Sequence, residues 1–485
     1  MAGHRARRRT PAAKPRSGAA LVCVLALLST VTALLQTMAV PVLGKMSRDL
    51  EVSTAAIGWV VTINLLAAAV LTPILSKSGD LHGRRRLVLV VTVAVAAGSL
   101  LAAVTSSYWM LLVARAVQGA SFCLFPLSVG ILRDQLHPRR LPLGLSFLTG
   151  AISVGAGAGL VLTGILTHGD RDYRNIFWFT LAVALLLSVA AVVVIPKDRP
   201  HSSGRVDWLG GLLLGVALVL LLLAMTQGND WGWTSIATTG SLAGSLVTFA
   251  VWLAVERRVS EPLVPIAMLR DRTLAAANAI GFFIGFGMFL IFLSITALVQ
   301  VPASHGHGFS ASVLETSLVY LLPAASIGIV ASPLGGMCVG RFGGRATLLI
   351  ASVVGLLGYL QLLAFHERAW EVILGGVITN AAFSMGFAAV PAVVTAVVLP
   401  RETALANAMA SITRSSGSAL GSALVVALIA SHLMADDHPR ESVFTIVFVI
   451  GAVTMALSVI ITLVGIPRRQ AMAAAAPARE DQRTH

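Results

Sequence analysis

Fourteen apolar runs, joined by short polar connections, set the tightest limit on what this chain can fold into. They lie near 19–43, 54–76, 87–105, 108–132, 141–167, 174–195, 207–226, 236–255, 273–300, 310–332, 347–365, 370–398, 404–432 and 442–465. Each is about 20 residues or longer, enough as a helix at 1.5 Å per residue for a hydrocarbon core of roughly 30 Å. In such a core the backbone must satisfy its own N–H and C=O groups, so the expected fold class is an all-α polytopic membrane protein. Composition agrees. Of 485 residues, 56% are hydrophobic and 12% charged, against about 25% charged in soluble domains.

Residues 1–18 hold six bases and no acid and lead directly into the first run. That run is too long for a signal core of about 7–15 residues, so it reads as a signal anchor and first helix. With the N-terminus inside, cytoplasmic segments collect 27 of the 35 Lys and Arg, outer loops collect six, and two remain within helices. The asymmetry places both termini in the cytoplasm of a multi-pass cell-membrane protein. It also accounts for the net charge of +14 as topology signals and contacts with membrane lipids, without nucleic acid as a partner. Cys23, Cys123 and Cys338 fall inside apolar runs with no metal spacing. His305 and His307 lie in an outer loop without a third ligand and read as solvated, so no metal is expected. The tail from Pro467 is Ala-rich and charged, and is expected to be disordered.

Between runs two and three stands Ser76-Lys77-Ser78-Gly79-Asp80-Leu81-His82-Gly83-Arg84-Arg85-Arg86. Asp80 is placed where a helix ends, and Gly83 can take the left-handed conformation of a tight turn. The spacing resembles the Gly-x-Leu-x-Asp-Arg-x-Gly-Arg-Lys loop of the major facilitator superfamily of transporters, matching at Asp80, Gly83, Arg84 and Arg85 and departing at Ser76 and Leu81. A weaker copy, Gly336 to Arg345, falls between runs ten and eleven, with Arg341, Gly343 and Arg345 at pattern positions and no acid. Setting runs seven and eight aside puts both loops between the second and third helices of a six-helix half, the parallel repeat of this superfamily. The implied organisation is a basic tail (1–18), a first six-helix half (19–195), a two-helix insert with flanking loops (196–272), a second half (273–466) and a tail (467–485). Asp80 is expected to sit beside positive charge and to cap a helix N-terminus in the other half.

Inside run four, Leu111 to Gly119 resembles the Leu-x-x-x-Arg-x-x-Gln-Gly segment of drug:proton antiporters at Arg115, Gln118 and Gly119. An embedded Arg costs at least about 2.5 kcal/mol, so Arg115 should face the bundle interior. Run five carries Gly155, Gly159 and Gly164, and run thirteen has Gly417 and Gly421 beside a second embedded cation, Arg414. Glycines four apart lie on one helix face and allow close crossings; Gly281 and Gly285 in run nine are expected to mark another. Fourteen-helix drug:proton antiporters carry an Asp in the first helix nine residues before a Pro, and counting back from Pro41 gives Thr32 here. Thr32, Gln36, Asn64, Asn278, Asn380 and Asn407 are candidate cavity-lining groups, the asparagines equally suited to helix–helix hydrogen bonds. None of the 21 Asp and Glu falls in mid-span. The nearest is Glu315, about five residues into run ten; partial burial would raise its pKa toward that of a proton carrier, and an ordinary charge in a first helical turn is the plainer reading.

The resemblance, covering nearly the whole chain, implies a fourteen-helix drug:proton antiporter. It would be a monomer that exports small amphipathic molecules, cationic or aromatic, in exchange for protons. Nothing resembles a phosphate-binding Gly-x-x-x-x-Gly-Lys-Ser/Thr loop, so neither a catalytic residue nor a cofactor is expected. A gradient-independent facilitator or importer and a transport-inactive sensor are the rival readings.

Overall fold

A computed structural model describes residues 18–137, 141–169, 171–198, 205–259, 262, 268, 270–398, 403–434 and 438–467. Most of the two expected tails, 1–17 and 468–485, lies outside the described residues.

Among the described residues the architecture is helical, with a single isolated β-bridge between Leu433 and Pro439. The helices are α1 (Gly18–Thr37), α2 (Leu43–Asp49), α3 (Thr54–His82), α4 (Arg84–Val104), α5 (Tyr108–Gln118), α6 (Leu124–Gln135), α7 (Leu141–Leu166), α8 (Asn175–Val194), α9 (Trp208–Trp231), α10 (Ile236–Glu256), α11 (Arg272–Gln300), α12 (Val313–Glu315), α13 (Leu322–Ala364), α14 (Ala369–Val397), α15 (Thr403–Ser431) and α16 (Glu441–Gly465). Twelve helical stretches among the described residues are long and apolar enough to cross a membrane. Polar residues fix several starts: Ser53 accepts from Ala56 N, and Asp271 accepts from Thr273 N and Leu274 N, supplying partners for first-turn N–H groups.

Three apolar runs are interrupted where their sequence allows it. Run one passes from α1 through a 3-10 turn, Val40–Val42, into α2; Pro41 sits at the start of that turn, where its missing N–H is of no consequence. Run four breaks into α5 and α6 around a 3-10 stretch, Gly119–Cys123. In run ten the six residues Thr316–Leu321 form a π-helix between α12 and α13.

Helix α13 spans 43 residues and contains one non-helical residue, Gly343, with φ 83° and ψ 162°. Straight, it would be about 65 Å long, twice a bilayer core. Instead the chain doubles back there. Gly335 lies against Met385 and Ala388, Gly344 against Val393, and Gly355 and Gly358 return to Ala382 and Thr379 of the same helix, α14. The expected loop at 333–346 is thus reduced to a reversal at one glycine.

Helices α1 and α3–α8 pack among themselves, as do α11 and α13–α16; α3 meets α15 and α7 meets α13 between the groups. The hairpin α9–α10 lies outside, with α9 against both α3 and α15 and Trp59 Nε1 donating to Thr226 Oγ1 at 3.1 Å. Within each group a glycine face permits a close crossing. A Cβ on Gly155 would lie 2.7 Å from Thr30 Cγ2, and one on Gly159 would collide with Thr37 of α1. In the second group, Gly417 and Gly421 abut the Phe282 and Phe286 carbonyls of α11. Gly164 faces Leu314 of the other group. Gly285 is in tight contact where α11 crosses α15, while Gly281 has more room: its Cβ would have ordinary contact with Val390 at 3.7 Å and with Ala410 O and Thr413 Oγ1 of α15 at 4.0 Å.

This difference gives a stability test. Gly417→Ala should cost about 1–3 kcal/mol through overpacking and lower the melting temperature of the purified protein in detergent. Gly281→Ala should leave it unchanged, and equal effects would contradict the assigned crossing.

Candidate functional site

The α3–α4 turn is held by three acids from three places in the sequence. Helix α3 runs to His82 and stops because Gly83 has φ 98°, a conformation that L side chains rarely adopt. Asp80 Oδ1 accepts from Arg84 Nε at 2.8 Å, and Arg84 Nη1 reaches Asp134 Oδ2 of α6 at 2.5 Å. The guanidinium therefore bridges two carboxylates, itself less exposed (17%) than either of them (34% and 31%). Asp198, beyond α8, accepts from Arg84 N at 2.5 Å and from Arg85 N at 3.3 Å, so a carboxylate sits on the positive end of α4. The expectation that Asp80 caps a helix of the other half is corrected: Asp80 is engaged one turn away by Arg84, and Asp198 is the cap, on α4. A Cβ on Gly83 would approach Asp198 Oδ1 to 3.1 Å, a second reason for glycine there.

The copy at Gly343 repeats the backbone without the acids. Gly343 and Gly83 both have positive φ. Arg85 Nη2 donates to Val192 O of α8 at 2.7 Å, and Arg345 Nη2 donates to Leu463 O of α16 at 3.0 Å. Arg341 lies over the ring of Phe342, 5.4 Å from its centroid.

Arg115 is 1% exposed. Its Nε donates to Val60 O of α3 at 2.9 Å. Nη1 donates to Leu35 O of α1 at 3.2 Å and to Gln118 Oε1 at 2.8 Å. Gln118 in turn donates to Ser99 Oγ of α4 at 3.0 Å, to which Thr180 of α8 also donates at 3.3 Å. Gly119 lets the chain approach α3, since a Cβ would stand 2.7 Å from Asn64 O. The gap beside the guanidinium, lined by Leu35, Met38, Ile176 and Phe177 among others, is too narrow for a water molecule.

The other embedded polar residues divide into two kinds. Thr32 and Asn64 are tied into the first group rather than facing a cavity: Thr32 donates to Ser121 O at 2.8 Å, and Asn64 Nδ2 donates to Arg115 O at 2.9 Å. Asn278 likewise is buried, accepting from Thr413 at 3.3 Å. Gln36, Asn380, Asn407 and Arg414 remain partly exposed. Arg414 lies over the ring of Phe387 of α14, 5.3 Å from its centroid. Glu315 follows the plainer of its two readings, an ordinary charge in a first helical turn, and not the partly buried carrier. It is exposed and forms a capping box with Ser312, accepting from Ser312 N at 2.9 Å, which holds the carboxylate at the helix rim.

Side-chain contacts between the two groups gather at the end away from Asp80. Thr62 and Ser422 share a hydrogen bond of 3.0 Å, Gln300 Nε2 donates to Pro41 O at 3.0 Å, and Gly58 and Gly164 face Val426 and Leu314. Asp134, Asp198, Ser99 and Phe387 escaped the sequence reading. Only Asp134, next to Arg133 at the end of run four, carried a local signal.

Against this geometry, the chain matches the Major Facilitator Superfamily over residues 25–295 and 275–485. It is 28% identical over 309 residues to the tetracenomycin C resistance and export protein of Streptomyces glaucescens, covering 63% of this chain and 56% of that protein. It is 29% identical over 354 residues to the probable actinorhodin transporter of Streptomyces coelicolor (70% and 59%) and over 331 residues to multidrug resistance protein Stp of Mycobacterium tuberculosis (68% and 60%). The chain thus spans less than two thirds of these relatives' own length. A point mutant of the nucleoside transporter NupG superposes with a TM-score of 0.63 at 14% identity, over 92% of this chain and 100% of that one. A bacterial homolog of the human lysosomal transporter Spinster, in an inward-facing conformation, gives 0.61 at 15%, over 94% and 96%. The chain therefore belongs to the Major Facilitator Superfamily, whose members are transporters rather than enzymes, and is a multi-pass membrane protein.

Proposed function

We propose that the chain is a secondary active exporter of small amphipathic compounds across the cytoplasmic membrane, energised by the proton-motive force. Fourteen spans are obtained when the two arms of Val313–Ala364 are counted separately and α7 is added to the other helices. With Lys and Arg concentrated inside, both termini and the Asp80 end face the cytoplasm. The two helix groups are the two six-helix halves, with α9–α10 as the insert and the protein working as a monomer.

The observation that carries this reading is the placement of the contacts between the halves. Thr62–Ser422, Gln300–Pro41 and Gly164–Leu314 hold the outer end together, so this conformation receives substrate from the cytoplasm. The functions for which the relatives are named, export of tetracenomycin C and multidrug resistance, support the direction and the substrate class. Export then requires rocking of the halves, which parts the outer contacts and brings the Asp80 end together. The Asp80–Arg84–Asp134 bridge and the Asp198 cap hold that end of the first half as one rigid body during the motion.

Proton antiport is part of the proposal, but its carrier is not a mid-span carboxylate, since the sequence has none and Glu315 is an exposed cap. The proton must pass through the Asp80 cluster or travel on the substrate. The same absence favours the facilitator as the second reading. Cells expressing the protein should accumulate less of a fluorescent amphipathic dye than cells lacking it, and a protonophore should abolish the difference. Dye loss that follows its own gradient and ignores the protonophore would support the facilitator.

The gating role of Asp80 is tested in the same cells. Asp80→Asn takes one carboxylate from the bridge and loosens that rigid end, so it should slow efflux by about tenfold, the factor that corresponds to the roughly 1.5 kcal/mol of a hydrogen bond to a charged group. The amount of protein in the membrane should stay unchanged. Wild-type efflux by the variant would remove Asp80 from the mechanism.

A further inference from the structure

The two embedded arginines are treated very differently by their surroundings. Arg115 spends its donors on backbone carbonyls and Gln118. The Arg414 guanidinium, among the described residues, has no hydrogen-bond or ion-pair partner, and it lies over the ring of Phe387. It is nonetheless close to mid-helix, eleven residues from the start of α15, where an unneutralised cation facing lipid would be costly.

The faces of α15 show where it points. Gly417 and Gly421 pack on α11, while Ser422 and Val426 pack on α3. Asn407, Ser411, Arg414 and Ser418 recur at i, i+4, i+7 and i+11, forming one stripe between those two contact faces. The first three are partly exposed. A polar stripe on a helix enclosed by α3, α9, α11 and α14 faces the space between the halves, because lipid-facing positions are apolar. On α14, Asn380, Ser384 and Phe387 repeat the same spacing and are also partly exposed; Ser384 donates to Asn380 Oδ1 at 3.4 Å. On α11, at the height of Arg414, Phe282 and Phe286 stack with centroids 6.3 Å apart and planes 15° apart, both partly exposed.

We propose that the surface where α11, α14 and α15 meet binds a planar aromatic anion, its carboxylate or phenolate on Arg414 and its ring against Phe387. The proposal rests on the export reading and names the substrate class for it. The guanidinium fork matches a carboxylate in a bidentate pair, the phenylalanines offer faces and edges to a flat ring, and Asn380 and Asn407 can hydrogen-bond ring substituents. Two embedded cations without a mid-span acid make the interior positive, so it favours anions over the cationic compounds expected from sequence. An anionic substrate also relieves the protein of carrying charge. The inside-negative potential drives a monovalent anion outward by on the order of 50-fold per 100 mV, with no carboxylate needed in the bundle.

Fluorescein and rhodamine 6G, of similar ring system and opposite charge, provide the probes. Purified full-length protein in nanodiscs should bind fluorescein about tenfold or more tightly than rhodamine 6G, the margin expected of a charge-assisted hydrogen bond. Arg414→Gln should erase that preference and Arg414→Lys should keep part of it, both at an unchanged melting temperature. If the Gln variant does not fold, the Lys variant and Phe387→Leu carry the test, each expected to weaken fluorescein more than rhodamine 6G. Equal or tighter binding of rhodamine 6G by the wild type, or unchanged fluorescein affinity in the folded variants, overturns the proposal. Energised inverted vesicles separate the two readings: transport of rhodamine 6G alone leaves export standing and removes the anion site, whereas fluorescein binding without transport of either dye removes export and keeps the site.

Discussion

The first helix group depends on one guanidinium. Arg115 enters a region where water is excluded, so each of its donors must be met by the protein or left at a cost of several kcal/mol. Leu35 O lies in the last turn of α1, where carbonyls lack intrahelical partners, and the guanidinium supplies one. Val60 O on α3, Gln118 on α5, and through it Ser99 on α4 and Thr180 on α8, complete a network joining five helices. Asn64 and Gly119 then bring α3 against the 3-10 turn. Removing the charge would leave carbonyls and an amide unsatisfied in the same place, which is why the position is structural before it is anything else.

The two α-hairpins at Gly83 and Gly343 share a backbone and differ in charge. Both turn on a glycine with positive φ, and in both an arginine two residues later ties the following helix to the last helix of its group. Only the first gathers Asp80, Asp134 and Asp198. Similar chain geometry thus occurs at both turns, while the electrostatic cluster sits at one of them. The α9–α10 hairpin, lying on α3 and α15 at once, closes one side of the seam along which these groups would move.

Much of the fold was legible because a membrane reduces the problem to apolar length and charge placement. The runs, the turn at Gly83, the interior position of Arg115 and the crossings at Gly155, Gly159, Gly417 and Gly421 all follow from local spacing. Partners were not legible. Asp198 caps a helix 114 residues away, and whether Thr32 faces a cavity or Ser121 O depends on the rotation of α1, which its weakly patterned surface does not fix. Gly281 and Gly285 are indistinguishable as sequence, yet a Cβ on the first would touch the Ala410 carbonyl of α15 at 4.0 Å and one on the second would collide with that of Arg414. Phe387 became visible as a partner of Arg414 only when α14 and α15 were side by side.

The central claim is that the two halves alternate between closure away from Asp80 and closure at Asp80. It is tested most directly by electron spin-echo distances in a variant without Cys23, Cys123 and Cys338, the free cysteines. One pair of labels at exposed Glu51 and Ser431 reports on the end away from Asp80, and a second pair at exposed Arg86 and Arg341 reports on the Asp80 end. The account predicts a short distance for the first pair at rest, with the first lengthening and the second shortening together when an exported dye and a gradient are supplied. Two distance distributions that stay fixed under those conditions, or that change in the same direction, would contradict it.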